Sequence, residues 1–207
     1  MFEIDVTPFC AVPDEPSRRD WEQLAQLLPV GGGALFRESI SLPPDWQTGD
    51  IWPCLQLVLS DDRSAKSTDI STHTEILTHR DLPEILDLVS RTRPGPFLNN
   101  TLATGQYRGI RVAGQLAAMS GERMRLPGAT EISAVAVAPE FRGRGLARRL
   151  ISELVSQITE RHELPFLHVV DSNAEAIKLY ESMGFTVSRS IDARIVAGPG
   201  QPPPQRR

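Results

Sequence analysis

The feature that most constrains this chain is an apolar run that ends in a glycine-rich turn and continues as a helical pattern. Residues 131–147 read EISAVAVAPEFRGRGLA, in which the apolar run stops at Pro139 and the RGRG turn covers residues 142–145. A strand that leads through glycines into a helix N-terminus forms an anion site, because the turn exposes backbone N–H groups and the helix dipole favours negative charge. The sequence therefore predicts a phosphate-binding site at this turn.

The turn differs from two common phosphate-binding loops. The chain contains no Gly-x-x-x-x-Gly-Lys-Ser/Thr string, which excludes a P-loop. The dinucleotide-binding pattern Gly-x-Gly-x-x-Gly needs a third glycine, and Arg148 occupies its position. What remains is the pattern Arg-x-x-Gly-x-Ala over residues 142–147.

A second pattern lies downstream in residues 171–185, which read DSNAEAIKLYESMGF. Ser172 and Glu175 have the spacing of a capping box, so a helix is expected to begin near Asn173. Apolar residues recur at helical spacing up to Gly184, where a glycine terminator is expected. Strand-like runs precede and follow this helix.

Together the two segments resemble the cofactor motifs of the GNAT superfamily of acetyl-CoA-dependent N-acetyltransferases. Residues 142–147 match the pyrophosphate signature, and the pattern Asn-x-x-Ala-x-x-Leu-Tyr-x-x-x-Gly-Phe over residues 173–185 matches the second motif. The resemblance covers about residues 72–196 and says little about residues 1–70. It implies an α/β (α+β) fold, in which a mixed, mostly antiparallel central sheet is splayed at the cofactor site and flanked by helices.

The resemblance implies acetyl-CoA as cosubstrate and no metal. The pyrophosphate would bind the N–H groups of the turn, and the pantetheine arm would pair with an open edge of the central strand, where a backbone N–H would polarise the thioester carbonyl. Asn173 would hydrogen-bond the pantetheine amide or a neighbouring backbone group, and it is equally suited to cap the helix. The expected cofactor-binding residues are Val135, Ala136, Val137, Arg142, Gly143, Arg144, Gly145, Leu146, Ala147, Asn173 and Tyr180.

The implied reaction is direct attack of an amine on the thioester. The amine must be neutral, and since the unperturbed pKa is about 8 for an α-amino group and about 10.4 for lysine, a general base is useful. Glu131 is the first candidate and Glu122 the second, although both could be rim carboxylates and water could mediate the transfer. Tyr180 stands where the family places its general acid, and the alternative is a tyrosine that merely packs on a helix face.

The acceptor is less well defined. By the resemblance its pocket lies between residues 91–105 and the turn 125–130, with Phe97, Tyr107 and Arg93 as expected lining residues. Arginine suits a carboxylate-bearing acceptor such as an amino acid, but a peptide N-terminus or a polyamine fits equally well. The expected partner is a small-molecule or peptide amine. The alternative function is a non-catalytic acyl-CoA-binding sensor or regulatory module.

Composition argues against several other classes of protein. A net charge of −4 argues against a nucleic-acid partner. The two cysteines form no disulfide framework, and no apolar stretch approaches 18 residues, so we expect a cytoplasmic protein without a membrane partner; a homodimer is left open. Neither cysteine has metal-ligand spacing to a histidine. The four histidines are interpreted as surface or strand residues: His73, His79, His162 and His168.

The chain is expected to divide into four segments. These are a small N-terminal α/β lobe or extension over residues 1–60, a polar linker over 61–72, a GNAT-like domain over 73–197 and a disordered proline-rich tail over 198–207. Within them, Asp81 and Glu84 predict a helix capping box. Other expected elements are a helix over 17–28, strands over 34–36, 51–59 and 74–77, a hairpin of 107–112 with 115–124, a central strand over 131–137, a helix over 146–161, and strands over 166–170, 185–187 and 191–196.

Overall fold

The computed structural model describes residues 6–29, 32–37, 40–60 and 73–201. Its helices are α1 (Arg18–Leu27), α2 (Leu82–Thr92), α3 (Leu146–Glu160) and α4 (Ala174–Ser182). Its strands are β1 (Phe9–Cys10), β2 (Gly33–Arg37), β3 (Gln47–Leu59), β4 (Glu75–Ile76), β5 (Tyr107–Val112), β6 (Gln115–Leu126), β7 (Ala129–Val137), β8 (Leu164–Val170) and β9 (Phe185–Ala197).

The described strands form one sheet in the order β1-β2-β9-β3-β8-β7-β6-β5-β4. Neighbours are antiparallel except for β1 with β2 and β7 with β8, which are parallel. The expected mixed, mostly antiparallel sheet with flanking helices is therefore confirmed. The strands expected over 185–187 and 191–196 are wrong as two elements, because β9 runs unbroken through both and pairs with β3 over most of its length.

Strand β3 comes from the N-terminal part of the chain and lies inside the sheet, between β8 and β9. Its residues from Cys54 to Val58 pair with β8, and its other edge pairs with β9. The expected linker over 61–72 lies outside the described residues, as do residues 202–207 of the expected tail. Strands on both sides of that linker share the sheet, while the division of the chain into a lobe and a domain stays a prediction.

Helices α3 and α4 cover one face of the sheet. The apolar stripe of α3, spaced by three and four residues, packs with α4, β8 and β3. Helix α2 covers the opposite face, where Ile85 and Leu88 are buried against Ala134 and Ala136 of β7. Because side chains alternate along a strand, β7 contributes to both cores.

Both predicted capping boxes differ from expectation, and a third cap was not predicted. Ser17 caps α1 through a capping box with Asp20. Asp81 makes no side-chain cap of α2 and instead accepts bonds from Thr78 N and from Arg111 Nη2. The predicted box with Glu84 is wrong because that carboxylate also pairs with Arg111.

Helix α4 begins where it was expected, but its cap lies one residue later than the Ser172 box requires. Asn173 is the N-cap, and its Oδ1 accepts from Ala176 N at 3.1 Å. Its side chain thereby satisfies one of the N–H groups that a helix start leaves without a partner.

Candidate functional site

Strands β7 and β8 separate part-way along their length. Their parallel ladder runs from Ala129↔Leu164 to Glu131↔Phe166, and no further pair joins them although both strands continue. We call the space between residues 132–137 and residues 167–170 the interstrand gap. It leaves one backbone edge of β7 without strand partners, as the expected splay requires.

A β-bulge lies in β7 along this gap. Met119 pairs with Ala136 and Gly121 with Ser133, so two residues of β7 stand opposite one of β6. Ala134 takes a left-handed conformation with φ of 51°, which is uncommon for a residue with a side chain. The bulge turns the backbone of β7 at the height of the gap, and strain of this kind concentrates at functional sites.

The glycine-rich turn lies between β7 and α3. Gly143 and Gly145 both have φ of 75°, and a Cβ added at either would meet no atom within 4 Å. Gly145 is the N-cap of α3 and no side chain caps this helix. The first N–H groups of α3 therefore face open space, which is the arrangement that binds anions.

Four arginines surround the turn. Arg142 and Arg144 are exposed, and neither forms an ion pair among the described residues; Arg144 lies over the Phe141 ring at 5.2 Å. Arg148 donates to Ser182 Oγ of α4, and Arg149 is 3.7 Å from Glu153. Arg142 and Arg144 thus provide positive charge at the turn without a carboxylate to neutralise it.

Tyr180 lies in α4 against the core that also contains Leu167 and Val169 of β8, with Val135 at its margin. Its ring is 6.2 Å from that of Phe185. No described residue hydrogen-bonds its hydroxyl, and burial raises the pKa of Tyr180 to about 12. The phenol therefore stays protonated at neutral pH.

Glu131 is fully buried on the last pair of the β7–β8 ladder. Arg123 donates to both carboxylate oxygens, at 2.8 Å from Nε to Oε2 and 2.5 Å from Nη2 to Oε1, and His168 Nδ1 is 2.7 Å from Oε1. Burial by itself would raise the pKa of Glu131, but Arg123 and His168 hold it below its usual range. Glu131 is thus an ionised carboxylate with both oxygens occupied.

Glu122 is also buried but faces away from Glu131. It pairs across β6 and β7 with Ile132, which belongs to the α3 core, and its Oε1 is 2.9 Å from Arg161 Nη2. Arg161 follows the end of α3 directly. The two predicted base candidates therefore lie on opposite faces of the sheet.

The predicted acceptor residues are only partly brought together. Phe97 and Tyr107 are buried with their rings edge to face at 5.5 Å, and the Tyr107 ring packs over Gly121. Arg93 is exposed at the left-handed C-terminus of α2. Contact of these residues with an acceptor stays a prediction.

His168, interpreted from the sequence as a surface or strand residue, lies in β8, but its buried contacts were not foreseen. Its side chain is 5% exposed and its Nε2 is 3.0 Å from Gln56 Nε2 of β3. The alternation in Leu167-His168-Val169 signals a polar side chain on the face opposite two apolar ones. The partners Glu131 and Gln56 could not be identified, because they depend on strand pairing between distant segments.

Within the described residues, no helix is long and apolar enough to cross a membrane. In that same part of the chain, no three His, Cys, Asp or Glu side chains are grouped as a metal site would require.

Comparison with known proteins gives matches along most of the chain. The family model described as FR47-like protein matches residues 107–193. The [Ribosomal protein bS18]-alanine N-acetyltransferase of Salmonella typhimurium is 34% identical over 116 residues, covering 53% of this chain and 78% of the relative. Its Escherichia coli K12 counterpart is 33% identical over 111 residues, covering 51% and 74%.

A solved structure is similar over nearly the whole chain. It is the "Putative Acetyltransferase from the GNAT family" of Novosphingobium aromaticivorans, with 36% sequence identity and a TM-score of 0.80. The match covers 94% of this chain and 86% of that one, so it includes the N-terminal strands as well as the two motifs.

Proposed function

Because this chain belongs to the GNAT family of N-acetyltransferases, we propose that it moves the acetyl group of acetyl-CoA to the α-amino group at the N-terminus of a polypeptide. The curated relatives are alanine N-acetyltransferases of ribosomal protein bS18. Alanine has no side-chain nitrogen, so the nitrogen that those enzymes acetylate is its α-amino group. We place the reaction in the cytoplasm.

One observation carries the proposal: the interstrand gap opens beside the uncapped, glycine-led start of α3. The pyrophosphate of acetyl-CoA fits the open space over Gly143 and Gly145, where N–H groups and two unpaired arginines favour negative charge. The pantetheine amides fit the free edge of β7. The acetyl thioester then lies in the gap, where a backbone N–H of residues 135–137 stabilises the oxyanion.

Tyr180 supports a transfer reaction rather than mere binding. Departure of CoA leaves a thiolate, which needs a proton, and Tyr180 keeps its proton because burial raises its pKa to about 12. A binding module has no use for an unbonded phenol at this place. We therefore assign Tyr180 as the general acid.

The acidity of amines also favours an α-amino acceptor. With a pKa of about 8, roughly one α-amino group in ten is neutral at pH 7, whereas at a pKa of about 10.4 roughly one lysine in 2,500 is neutral. An α-amino group therefore needs less help from a base.

The experiment is acetyl transfer by the purified full chain to three matched peptides. The first has a free N-terminal alanine and no lysine, the second is the same peptide with a blocked N-terminus, and the third is blocked and carries one lysine. Thiol release and the mass of one added acetyl group are measured. We expect both with the first peptide only.

Other results would redirect the proposal. Transfer only to the lysine peptide, or only to free amino acids or polyamines added as further acceptors, would contradict the α-amino assignment. Calorimetric binding of acetyl-CoA without thiol release from any acceptor would favour the non-catalytic acyl-CoA sensor.

A further inference from the structure

Five polar side chains form a continuous chain of hydrogen bonds across five adjacent strands. In spatial order they are Arg189 of β9, Gln56 of β3, His168 of β8, Glu131 of β7 and Arg123 of β6. The successive distances are 3.0, 3.0, 2.7 and 2.8 Å. We call this set the polar ladder. Its outer end, Arg189, is exposed, and its inner end is buried.

The two arginines fix the direction of every bond in the ladder. Arginine can only donate, so Arg189 Nε donates to Gln56 Oε1, which turns the amide nitrogen of Gln56 towards His168. That nitrogen donates, and His168 Nε2 must accept. The proton of the neutral imidazole is therefore on Nδ1, where it is donated to Glu131.

His168 lies at the interstrand gap on the face opposite Tyr180. It is two residues beyond Phe166, the last residue of β8 that pairs with β7. Its neighbours Leu167 and Val169 pack in the same core as Tyr180, and alternation along the strand turns His168 to the other face. A thioester held in the gap would thus have Tyr180 on one side and the His168 imidazole on the other.

We propose that His168 is the general base of the transfer and that Glu131 and Gln56 are positioning residues that fix its tautomer. This inference rests on the proposed function. Glu131, the first base candidate from the sequence, is then a positioning residue and not the base. Its carboxylate is fixed by Arg123 and stabilises the imidazolium that His168 becomes. Gln56, which comes from the N-terminal part of the chain, thereby helps to position the base.

The proton transfers balance as follows. The acceptor enters as an ammonium group and gives one proton to His168 Nε2, where it displaces the Gln56 amide. The neutral nitrogen attacks the thioester carbonyl, the N–C bond forms, and the C–S bond breaks as the thiolate takes the proton of Tyr180. The tyrosinate then takes the second proton of the former amine. His168 then returns its proton to solvent, so the products are the acetylated amine, free CoA and one proton.

Two further titratable groups near the ladder, Tyr107 and Cys54, stay protonated in the working range. Burial raises the pKa of Tyr107 to about 12 and raises that of Cys54, and both groups interact with Arg123. Two carboxylates also act on Cys54: Asp171, which follows β8, and Asp192 of β9. Within the ladder itself, the charged side chains around His168 are Glu131, Arg123 and Arg189.

The kinetic test compares His168→Gln with His79→Gln, a matched change at an exposed histidine. The pH profile of kcat/KM for the free-alanine peptide and the Kd for acetyl-CoA are measured. We expect His168→Gln to lower kcat roughly 100-fold and to leave an acid limb set by the acceptor's own amino group, with unchanged acetyl-CoA affinity. His79→Gln should match the wild type.

Gln56→Glu provides a variant that keeps the histidine and the size of its partner. A carboxylate at this position stabilises the imidazolium, so a higher pH is needed to regenerate the base, and the acid limb should move to higher pH. Gln56→Leu, which removes the donor to Nε2, should move it less in the same direction. A limb that stays in place in both variants would contradict the assignment.

Nitrogen NMR of the histidine-labelled full chain tests the ladder without turnover. The His168 signal is identified by its loss in His168→Gln, and we expect the Nδ1–H tautomer. The Nε2–H tautomer would overturn the inference. Wild-type rate and profile in His168→Gln would refute this inference alone, whereas a wild type that acetylates none of the acceptors would refute the proposed function and the base with it.

Discussion

The glycine-led turn and the polar ladder flank the same gap but are built in opposite ways. The turn is contiguous in sequence, from Arg142 to Ala147; its residues 142–145 are exposed, and no side chain caps the helix that follows. The ladder takes one side chain from each of five strands, and its Gln56 and His168 are 112 positions apart. The first can bind a ligand because it lacks partners, whereas the second can orient a proton because its partners are fixed.

The largest expected effect tests whether the ladder depends on its buried charge pair. Arg123→Met leaves Glu131 buried without its cation, and the loss of one partner from such a pair costs about 3–5 kcal/mol of the free energy of unfolding. Denaturant unfolding measures it. Arg91→Met, at an exposed arginine that pairs with Asp87 and Glu140, should cost less than about 1 kcal/mol. Equal losses of unfolding free energy in the two variants would mean that the buried ion pair stabilises the fold no more than an exposed one.

The same pair predicts loss of stability in acid. Burial opposes the ionised form of Glu131, but Arg123 and His168 outweigh it, so its pKa is lower in the folded chain than in the unfolded one. The stabilisation is complete above the unfolded pKa of about 4.3 and is lost as the pH falls through the lower folded value. Unfolding of Arg123→Met should depend less steeply on pH in that window.

The next effect tests the turn alone. Gly145→Glu places a side chain at φ of 75° and a negative charge where the pyrophosphate is proposed to lie, so acetyl-CoA should bind at least about 100-fold more weakly in calorimetry. Gly114→Glu has similar backbone strain, with φ of 84° and open space, but lies in the β5–β6 turn. Unchanged binding in Gly145→Glu would remove the phosphate site from this turn.

A smaller effect separates catalysis from binding. Tyr180→Phe removes a hydroxyl that no described residue hydrogen-bonds, so Tm and acetyl-CoA affinity should stay as in the wild type while kcat falls by about 100-fold. If kcat is unchanged, Tyr180 is a core residue and the thiolate takes its proton from elsewhere.

The smallest effect concerns Asn173, whose cap is formed in the structure. Asn173→Ala should cost about 1 kcal/mol of the free energy of unfolding, because Ala176 N loses its acceptor. Calorimetry of the variant with acetyl-CoA decides the second role: weaker binding would add a cofactor contact, and unchanged binding would leave the cap alone.

Sequence reading succeeded where the determinants are local. The turn, the stripe of α3 and the helix after Ser17 each depend on residues a few positions apart, and they lie where expected. It failed where a distant side chain competes: Arg111 takes the carboxylates of Asp81 and Glu84 that were expected to cap α2. The contacts of His168 were not foreseen for the same reason, because its partners come from β3 and β7, the strands on either side of β8.

The central position of β3 has a consequence for how the chain acquires its structure. Strand β3 is made early, yet it pairs only with β8 and β9, whose residues follow more than 100 positions later. Contacts over such separations slow folding, and a growing chain leaves both edges of β3 open until β8 has been synthesised and one edge open until β9 follows. We therefore expect the sheet to close late in synthesis, and His168 to gain its Gln56 partner only then.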